Sequence, residues 1–490
     1  MPPDSHESDQ DLVHQTISKL RQAAEIEQHF MCMYLYGASS IQKRYVNNQQ
    51  LSLSPTHLEI TRRWANALYG VARQEMEHLA LVNNLLRSIG GAPYFGCPHV
   101  STKPLASFHL GAHPSRSEPG IVFAPSASLT GHQCDSLKPI PHDFELTMFD
   151  LDAARRWTCM EAPDCRALSS YDDGSHFAAW CFTKKGATGR LSDADEIEPG
   201  TIEELYTEIE GLFRRLPAGA FVTDSKAQVT IQQQYAIYVF PVTDHATAMQ
   251  AMRLITEQGE GITGFSSYPS HYRMFYDIVR EWERNDPITA AWPVAKNPDG
   301  REIQVDYTKR LFALFNEAYE TLLIMLTGLY ATTKQNPDGY PYFAPALGSQ
   351  VFAPYMTLVI RSLAEVLVQL RASEDDRGMP QRVGPGFMIS DNINAELRDP
   401  YLDSDRGLAG STLKPMFADI DEITRRVESF SQKLRELIDS GITPPVVEPE
   451  LSEWAQDRLE YIQTNSERIA ANLRRIYQQN IFPMLRTVGY

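Results

Sequence analysis

The sequence predicts a mainly α protein: a helical bundle whose two helix pairs are separated by a mixed α/β insertion and followed by extra C-terminal helices. Three observations predict it. Apolar residues recur at helical spacing over long stretches near the start of the chain. That period then breaks down in a proline-, glycine- and histidine-punctuated segment, and it returns beyond that segment in several further stretches. The implied organisation is a first helix pair over 1–92, a mixed insertion over 93–240, the second half of the bundle over 241–375, and a loop with a C-terminal helical extension over 376–490.

Each element has its own signal. Over 12–41, Val13, Ile17, Leu20 and Ala24, then Met31, Tyr34, Leu35 and Ala38, form the apolar stripe of a long helix. A second helix over 56–88 opens near Ser54-Pro55 and closes on Gly90-Gly91, and the connection between the two is short enough for an antiparallel pair. Within the insertion, FELTMF, HFAAWCF and AIYVF read as strands or extended segments, and TIEELYTEIEGLFRRL as a separate amphipathic helix over 201–216. Helical pattern resumes over 244–261 and 270–282, then over 307–332 and 350–372. After the turn-rich EDDRGMPQRVGPGF, two charged amphipathic helices cover 416–439 and 451–482.

Composition excludes several function classes. A formal charge of −17 repels a phosphate backbone or an anionic membrane, and no Lys/Arg cluster with interleaved aromatics reverses it locally, so neither nucleic acid nor membrane is an expected partner. The N-terminus is polar and acidic, unlike a secretory signal, and a cytoplasmic location is the default expectation. The 6 cysteines show no C-x-x-C pair and read as buried free thiols. Four of them fall between 134 and 181, but their irregular gaps lack the spacing of a zinc knuckle.

The chemistry is carried by acids on apolar faces. Glu27 lies seven residues after Leu20, three after Ala24 and four before Met31, which puts it on the buried stripe of the first helix. On the second helix, Glu75 is four before Leu79 and seven before Val82, with His78 one turn along the same face. Glu77 shares its side with Arg73, Gln74 and Asn84 and is expected in solvent. An unpaired buried carboxylate costs several kcal/mol, so each needs a partner, and a divalent cation supplies one. Glu-x-x-His is common on helix surfaces; its weight here comes from the buried face and from Glu27 on the neighbouring helix. One Glu plus Glu-x-x-His is half the ligand set of a carboxylate-bridged dimetal bundle, and oxygen ligands with imidazole suit iron or manganese.

The second half-site is expected from ITEQGEG and SHYRMF, as Glu257, Glu260 and His271. The position three before His271 is Tyr268, so both glutamates are expected to reach the centre in compensation; the competing reading has them solvated at a helix end capped by Gly261. Glu317, Glu320 and Glu365 are weaker candidates, and His29 reads as a surface histidine.

These residues resemble the ferritin-like domain family named after the iminophenyl-pyruvate dimer synthases of violacein- and indolocarbazole-type pathways. The matching pieces, in order, are AAEIEQHFMCMYL, QEMEHLALVNNLLRSIGGAP, FELTMFDLDAARRWTCMEAPD, TIEELYTEI, YVFPVTDHATAM, ITEQGEG, SHYRMF, FNEAYETLL and RVGPGF. The resemblance implies a ferritin-like bundle with a metal centre on Glu27, Glu75, His78, Glu260 and His271. Met-Cys-Met stands in the first helix where such domains often show Ile-Pro-Pro, and the chain is about half the length of the two-part synthases.

The expected function is that of a non-haem dimetal oxidoreductase, an oxygen-dependent oxidase or oxygenase of specialised biosynthesis. Its cofactor would be dinuclear iron, or manganese, with dioxygen as co-substrate and a small amino-acid-derived or aromatic metabolite as substrate. Glu75 is the favoured bridge and Tyr34, seven residues after Glu27, a redox or supporting residue. Met31, Phe275 and Tyr276 either line substrate or belong to the core. Oxidative dimerisation of amino-acid-derived imines is the first rival, with a second copy or a partner oxidase as the protein partner; a non-enzymatic metal-binding or structural role is the second.

Overall fold

The computed structural model describes residues 8–46, 53–96, 109–110, 137–139, 142–163, 181–184, 202–222, 228–231, 237–259, 261, 269–284, 288–330, 351–401, 414–418 and 420–487. Helix α1 (Asp9–Ser40) starts on a capping box in which Ser8 Oγ accepts from the Asp11 amide and Asp11 accepts from the Ser8 amide. Helix α2 (Pro55–Ser88) is capped by Ser54 with Pro55 in its first turn. It stops where the sequence says it should: Gly90 takes φ 82°, and the Gly91 amide returns to Leu86 O at 2.8 Å. The two helices pack along each other, and Leu20, Ala24, Leu68 and Leu79 are among the residues buried on them.

Helix α3 (Leu151–Met160) is capped by Asp150, whose carboxylate accepts from the Ala153 amide at 2.7 Å. It lies inside the stretch expected to lack regular helix, and it packs on α6 (His271–Arg284). Helix α4 (Ile202–Arg215) rests on α1 and on α5 (His245–Gly259). Beyond α6, α7 (Asp306–Leu329) is buried over most of its circumference by a π-helical turn (Tyr355–Ile360), the short α8 (Arg361–Leu367), α9 (Asp391–Arg398) and α10 (Pro415–Ala418). The long pair α11 (Ile420–Asp439) and α12 (Ser452–Thr487) closes that side. Helical structure dominates, and the ladders described are two-stranded: His109–Leu110 with His142–Asp143, Leu137–Pro139 with Phe182–Lys184, and Arg371–Glu374 with Pro380–Arg382. No described helix is long and apolar enough to cross a membrane.

Two expectations about elements are corrected. FELTMF forms no strand; it runs irregularly along a loop, exchanging bonds between Leu146 and Asn297 at 2.8 and 2.9 Å, because its neighbour there is a loop edge. The helix expected over 350–372 ends early, since Arg371 already belongs to a strand and its amide is taken by Pro445 O. The free-thiol reading fails for Cys159 and Cys181, which are joined in a disulfide between the end of α3 and the start of the Phe182–Lys184 strand. Two cysteines 22 residues apart in sequence meet here, which spacing alone does not reveal. Cys32 is a buried free thiol, pushed up to about 12 by burial. Cys97, Cys134 and Cys165 lie outside the described residues.

Candidate metal centre

Five side chains converge between α1, α2, α3 and α6. They are Glu27, Glu75, His78, Glu161 and His271, each no more than 2% exposed. Two groups of three each gather their ligand atoms within 4.8 Å of one another: Glu27, Glu75 and His78, and Glu75, Glu161 and His271. Glu75 belongs to both. His78 Nδ1 is 3.1 Å from Glu75 and 3.4 Å from Glu27. His271 Nδ1 is 2.9 Å from Glu75 and 3.5 Å from Glu161, and the two imidazoles lie nearly parallel with ring centres 5.4 Å apart.

The surroundings repeat on each side of Glu75. Behind His78, Nε2–H donates to Gln258 Oε1 at 2.9 Å; behind His271, it donates to Gln74 Oε1 at 3.2 Å. An acceptor behind Nε2 keeps a proton on that nitrogen and leaves Nδ1, on the carboxylate side, as the atom that would ligate a metal, the arrangement that second-layer acceptors impose on metal-binding histidines. The outer carboxylates are matched as well: Tyr206 donates to Glu27, and Tyr34 donates to Glu161 at 2.5 Å.

Electrostatics show the centre to be short of positive charge. Burial, against the pull of His78, raises Glu27 to about 7, and burial also raises Glu161. For Glu75, burial is outweighed by the imidazoles of His271 and His78, so its carboxyl is held below the usual range. His271, despite burial, is raised to about 9 by Glu75 and Glu161, and His78 is raised well above its ordinary value by Glu27 and Glu75.

The residues fit a pair of divalent ions. Glu75 Oε1 and His271 Nδ1 are buried and 2.9 Å apart, yet neither has a hydrogen-bond partner, because the two atoms do not meet in donor–acceptor geometry. Two orphaned ligand atoms directed at a common space are what a metal would satisfy. Three carboxylates and two imidazoles form a mixed O,N donor set suited to iron or manganese.

A ferritin-like family model matches residues 20–280, more than half of the chain. The chain belongs to the ferritin-like family. Among curated proteins it is similar to the dichlorochromopyrrolate synthase of Lentzea aerocolonigenes, 24% identical over 424 residues that take in 76% of this chain and 36% of that protein. The chain therefore matches little more than a third of that relative's length. Among solved structures it is similar to a ferritin-like protein from Caulobacter vibrioides, with 17% identity, a TM-score of 0.40, and coverage of 65% of this chain and 86% of that one.

Against the four-glutamate, two-histidine set used in ferritin-like dimetal bundles, the described residues supply one carboxylate fewer. Of the residues expected from sequence, the fold brings Glu27, Glu75, His78 and His271 together. Glu257 is a correction: it is a third exposed and paired with Arg253 at 2.5 Å, one turn back on the outer side of α5. The residue α5 sends towards the centre is Gln258. Glu260 and Tyr268 lie outside the described residues. Glu77, expected in solvent, is buried and accepts from Gln258 Nε2 at 3.3 Å, because α5 covers that face of α2. His29 is also buried, its Nδ1 against Glu25 O and its ring near Phe144; burial lowers it to about 4. Glu317 pairs with Lys433 and Glu320 accepts from the Ser390 amide, so neither joins the centre.

The missed residue is Glu161, the C-cap of α3. A signal for it existed. Glu161 follows Trp157 by four and Ala154 by seven, both fully buried, so the stripe rule that singled out Glu27 also places it inside. The α5 helix ends close by, since a Cβ at Gly259 would lie 3.4 Å from Glu161 Oε2.

Proposed function

We propose that this protein is a non-haem dimetal enzyme, with iron as its metal, acting as an oxygen-dependent oxidase or oxygenase on a small amino-acid-derived or aromatic metabolite. The observation that carries this reading is the membership of Glu75 in both three-residue groups. A carboxylate so shared can bridge two ions, while Glu27 with His78 holds one and Glu161 with His271 holds the other. Bound iron would supply the electrons with which dioxygen is reduced.

The chain's own residues do the remaining work. Gln258 and Gln74 hold the imidazoles in the tautomer that frees Nδ1. Tyr206 and Tyr34 each direct a phenolic proton at an outer carboxylate oxygen, which limits how far Glu27 and Glu161 can swing. Burial keeps the Tyr34 phenol protonated, raised well above its ordinary value, so it remains a donor. Phe30, Trp157 and Phe275 pack around Tyr34 and exclude water from that side.

Metal analysis tests the reading. Purified protein loaded with ferrous iron is expected to retain about two equivalents per chain, and Glu75→Ala is expected to lose both. Loss of neither ion in that variant would overturn the assignment of Glu75.

A second reading is oxidative coupling of two amino-acid-derived imines, favoured by the likeness to dichlorochromopyrrolate synthase. Supplying an imino acid generated in situ separates the two. A dimeric product supports coupling, and a hydroxylated or cleaved monomer supports the first reading.

A further inference from the structure

A file of aromatic rings, oxidisable except at Phe149, leads away from the centre. Tyr34, bonded to Glu161 at 2.5 Å, meets the edge of Trp157 with ring centres 5.2 Å apart. Trp157 stacks on Phe149 at 5.4 Å, and Phe149 in turn lies 5.6 Å from Trp282 and 6.3 Å from Trp64. The last two indoles stack on each other at 4.5 Å. The Trp64 N–H donates to Glu281 at 2.7 Å, and Glu281 is a third exposed in an ion pair with Arg63.

Both ends of this file carry a carboxylate at the hydrogen-bearing atom. A phenol loses an electron readily only if its proton has somewhere to go, and Tyr34 has Glu161. An indole radical cation is stabilised by a negative charge beside it, and Trp64 has Glu281. Packing alone requires neither polar contact, since Phe in place of Tyr34 or Trp64 would also fill space.

We propose that this file is a one-electron relay joining the metal centre to the protein surface near Glu281, through which an oxidising equivalent that finds no substrate is discharged. The proposal rests on the dimetal reading above. The oxidant is dioxygen reacting at the reduced centre. One electron passes from Tyr34 to the centre as its phenolic proton passes to Glu161. Trp157 then returns an electron to Tyr34, which takes its proton back. Phe149 serves only as a bridge, and the vacancy reaches the Trp282–Trp64 pair, where an external one-electron donor such as ascorbate fills it. The centre gains one electron, the donor loses one, and no group of the chain is altered.

Freeze-quench EPR after mixing ferrous-loaded protein with dioxygen in the absence of substrate tests this. Wild type is expected to give an organic radical whose lifetime ascorbate shortens. In Tyr34→Phe the tyrosine signal disappears. In Trp157→Phe it persists about tenfold longer, the equivalent of a barrier raised by about 1.4 kcal/mol, and ascorbate no longer shortens it. Phe315→Leu, which disturbs the packing on Phe387 away from the file, is expected to leave the radical's lifetime unchanged. Protein that binds iron but forms no radical, or a Trp157→Phe radical with the wild-type lifetime and ascorbate response, overturns the relay while leaving the metal centre standing. Protein that binds no iron overturns the dimetal reading itself.

Discussion

At the scale of single residues, the centre is governed by the cost of burying charge. Without a metal, folding raises the proton affinity of both Glu27 and His271. Both pKa values are raised on folding, Glu27 from 4.5 to about 7 and His271 from 6.5 to about 9. Their contribution to stability is therefore fully present below the unfolded values and is lost as pH rises through the folded ones. Thermal unfolding of the metal-free protein should fall by several degrees between pH 5 and pH 9, as an order-of-magnitude expectation from these shifts. Saturating ferrous iron should flatten the upper part of that fall, because ligation replaces the protons. A metal-free melting temperature that rises over this range would contradict the assignment.

The glutamines behind the histidines make a separate prediction. Gln258→Ala removes the acceptor for His78 and the donor to Glu77, and second-layer losses of this type lower metal affinity about 10- to 100-fold. Competitive titration with a chelator would measure the change. Asymmetry is also expected: Gln74→Ala should weaken the His271 side first, because Gln74 meets only that imidazole among the five converging groups.

At the scale of elements, the position of α3 determines whether Glu161 reaches the centre. Three features hold it: the Asp150 cap, the disulfide from Cys159, and the fit of Trp157 against α1. The last depends on Gly37, where a Cβ would come within 2.3 Å of the Trp157 ring, too close for any real contact. Gly37→Ala should therefore push Trp157 aside at a cost of about 1–3 kcal/mol, in spite of the better helix propensity of alanine. Denaturant titration would register the loss. Metal binding to the Glu161 side should weaken in the same variant, whereas an equally stable variant with wild-type metal content would show that α3 is not seated by this contact.

The element scale also shows which signals were readable. Helices α1 and α2 were legible because each carries a long stripe, a Ser cap and, for α2, a glycine stop. The α3 helix was not, because its 10 residues are shorter than the windows over which a 3.6 period stands out and it sits among loops. Glu161 was missed for the same reason, although its spacing from Trp157 and Ala154 was available.

At the scale of the whole molecule, the bundle is tied to its C-terminal helices by a charge cluster around the buried Glu365. Glu365 on α8 meets Lys43 at 3.2 Å, and Arg361 and Arg458 each at 3.4 Å, the last coming from α12. Burial works to raise Glu365, but Lys43, Arg361 and Arg458 outweigh it and bring it to about 2. This contribution is present above 4.5 and is lost as pH falls through about 2. Glu365→Ala would leave three cations near one another with only the Tyr69 hydroxyl between them. A loss of about 1 kcal/mol is expected, since Arg361 and Arg458 are partly exposed and water screens them, and it should appear in denaturant unfolding with metal content unchanged. A second tie, Arg382 to Glu448 at 2.8 Å, lies under Trp292 and holds the loop before α12 to the 380–382 strand.

By itself the sequence determined the helical class, the ends of the first helix pair, and the presence of Glu27, Glu75 and His78 on faces turned inward. Those follow from periodicity and capping, which act over a few residues and leave a local trace. Only the tertiary structure decided that Glu161 completes the second group, that Glu257 turns away to Arg253, that Gln258 and Gln74 stand behind the histidines, and that Cys159 finds Cys181. Each of these depends on how segments far apart in the chain pack together, and a helical period says which face is buried without saying what it will be buried against.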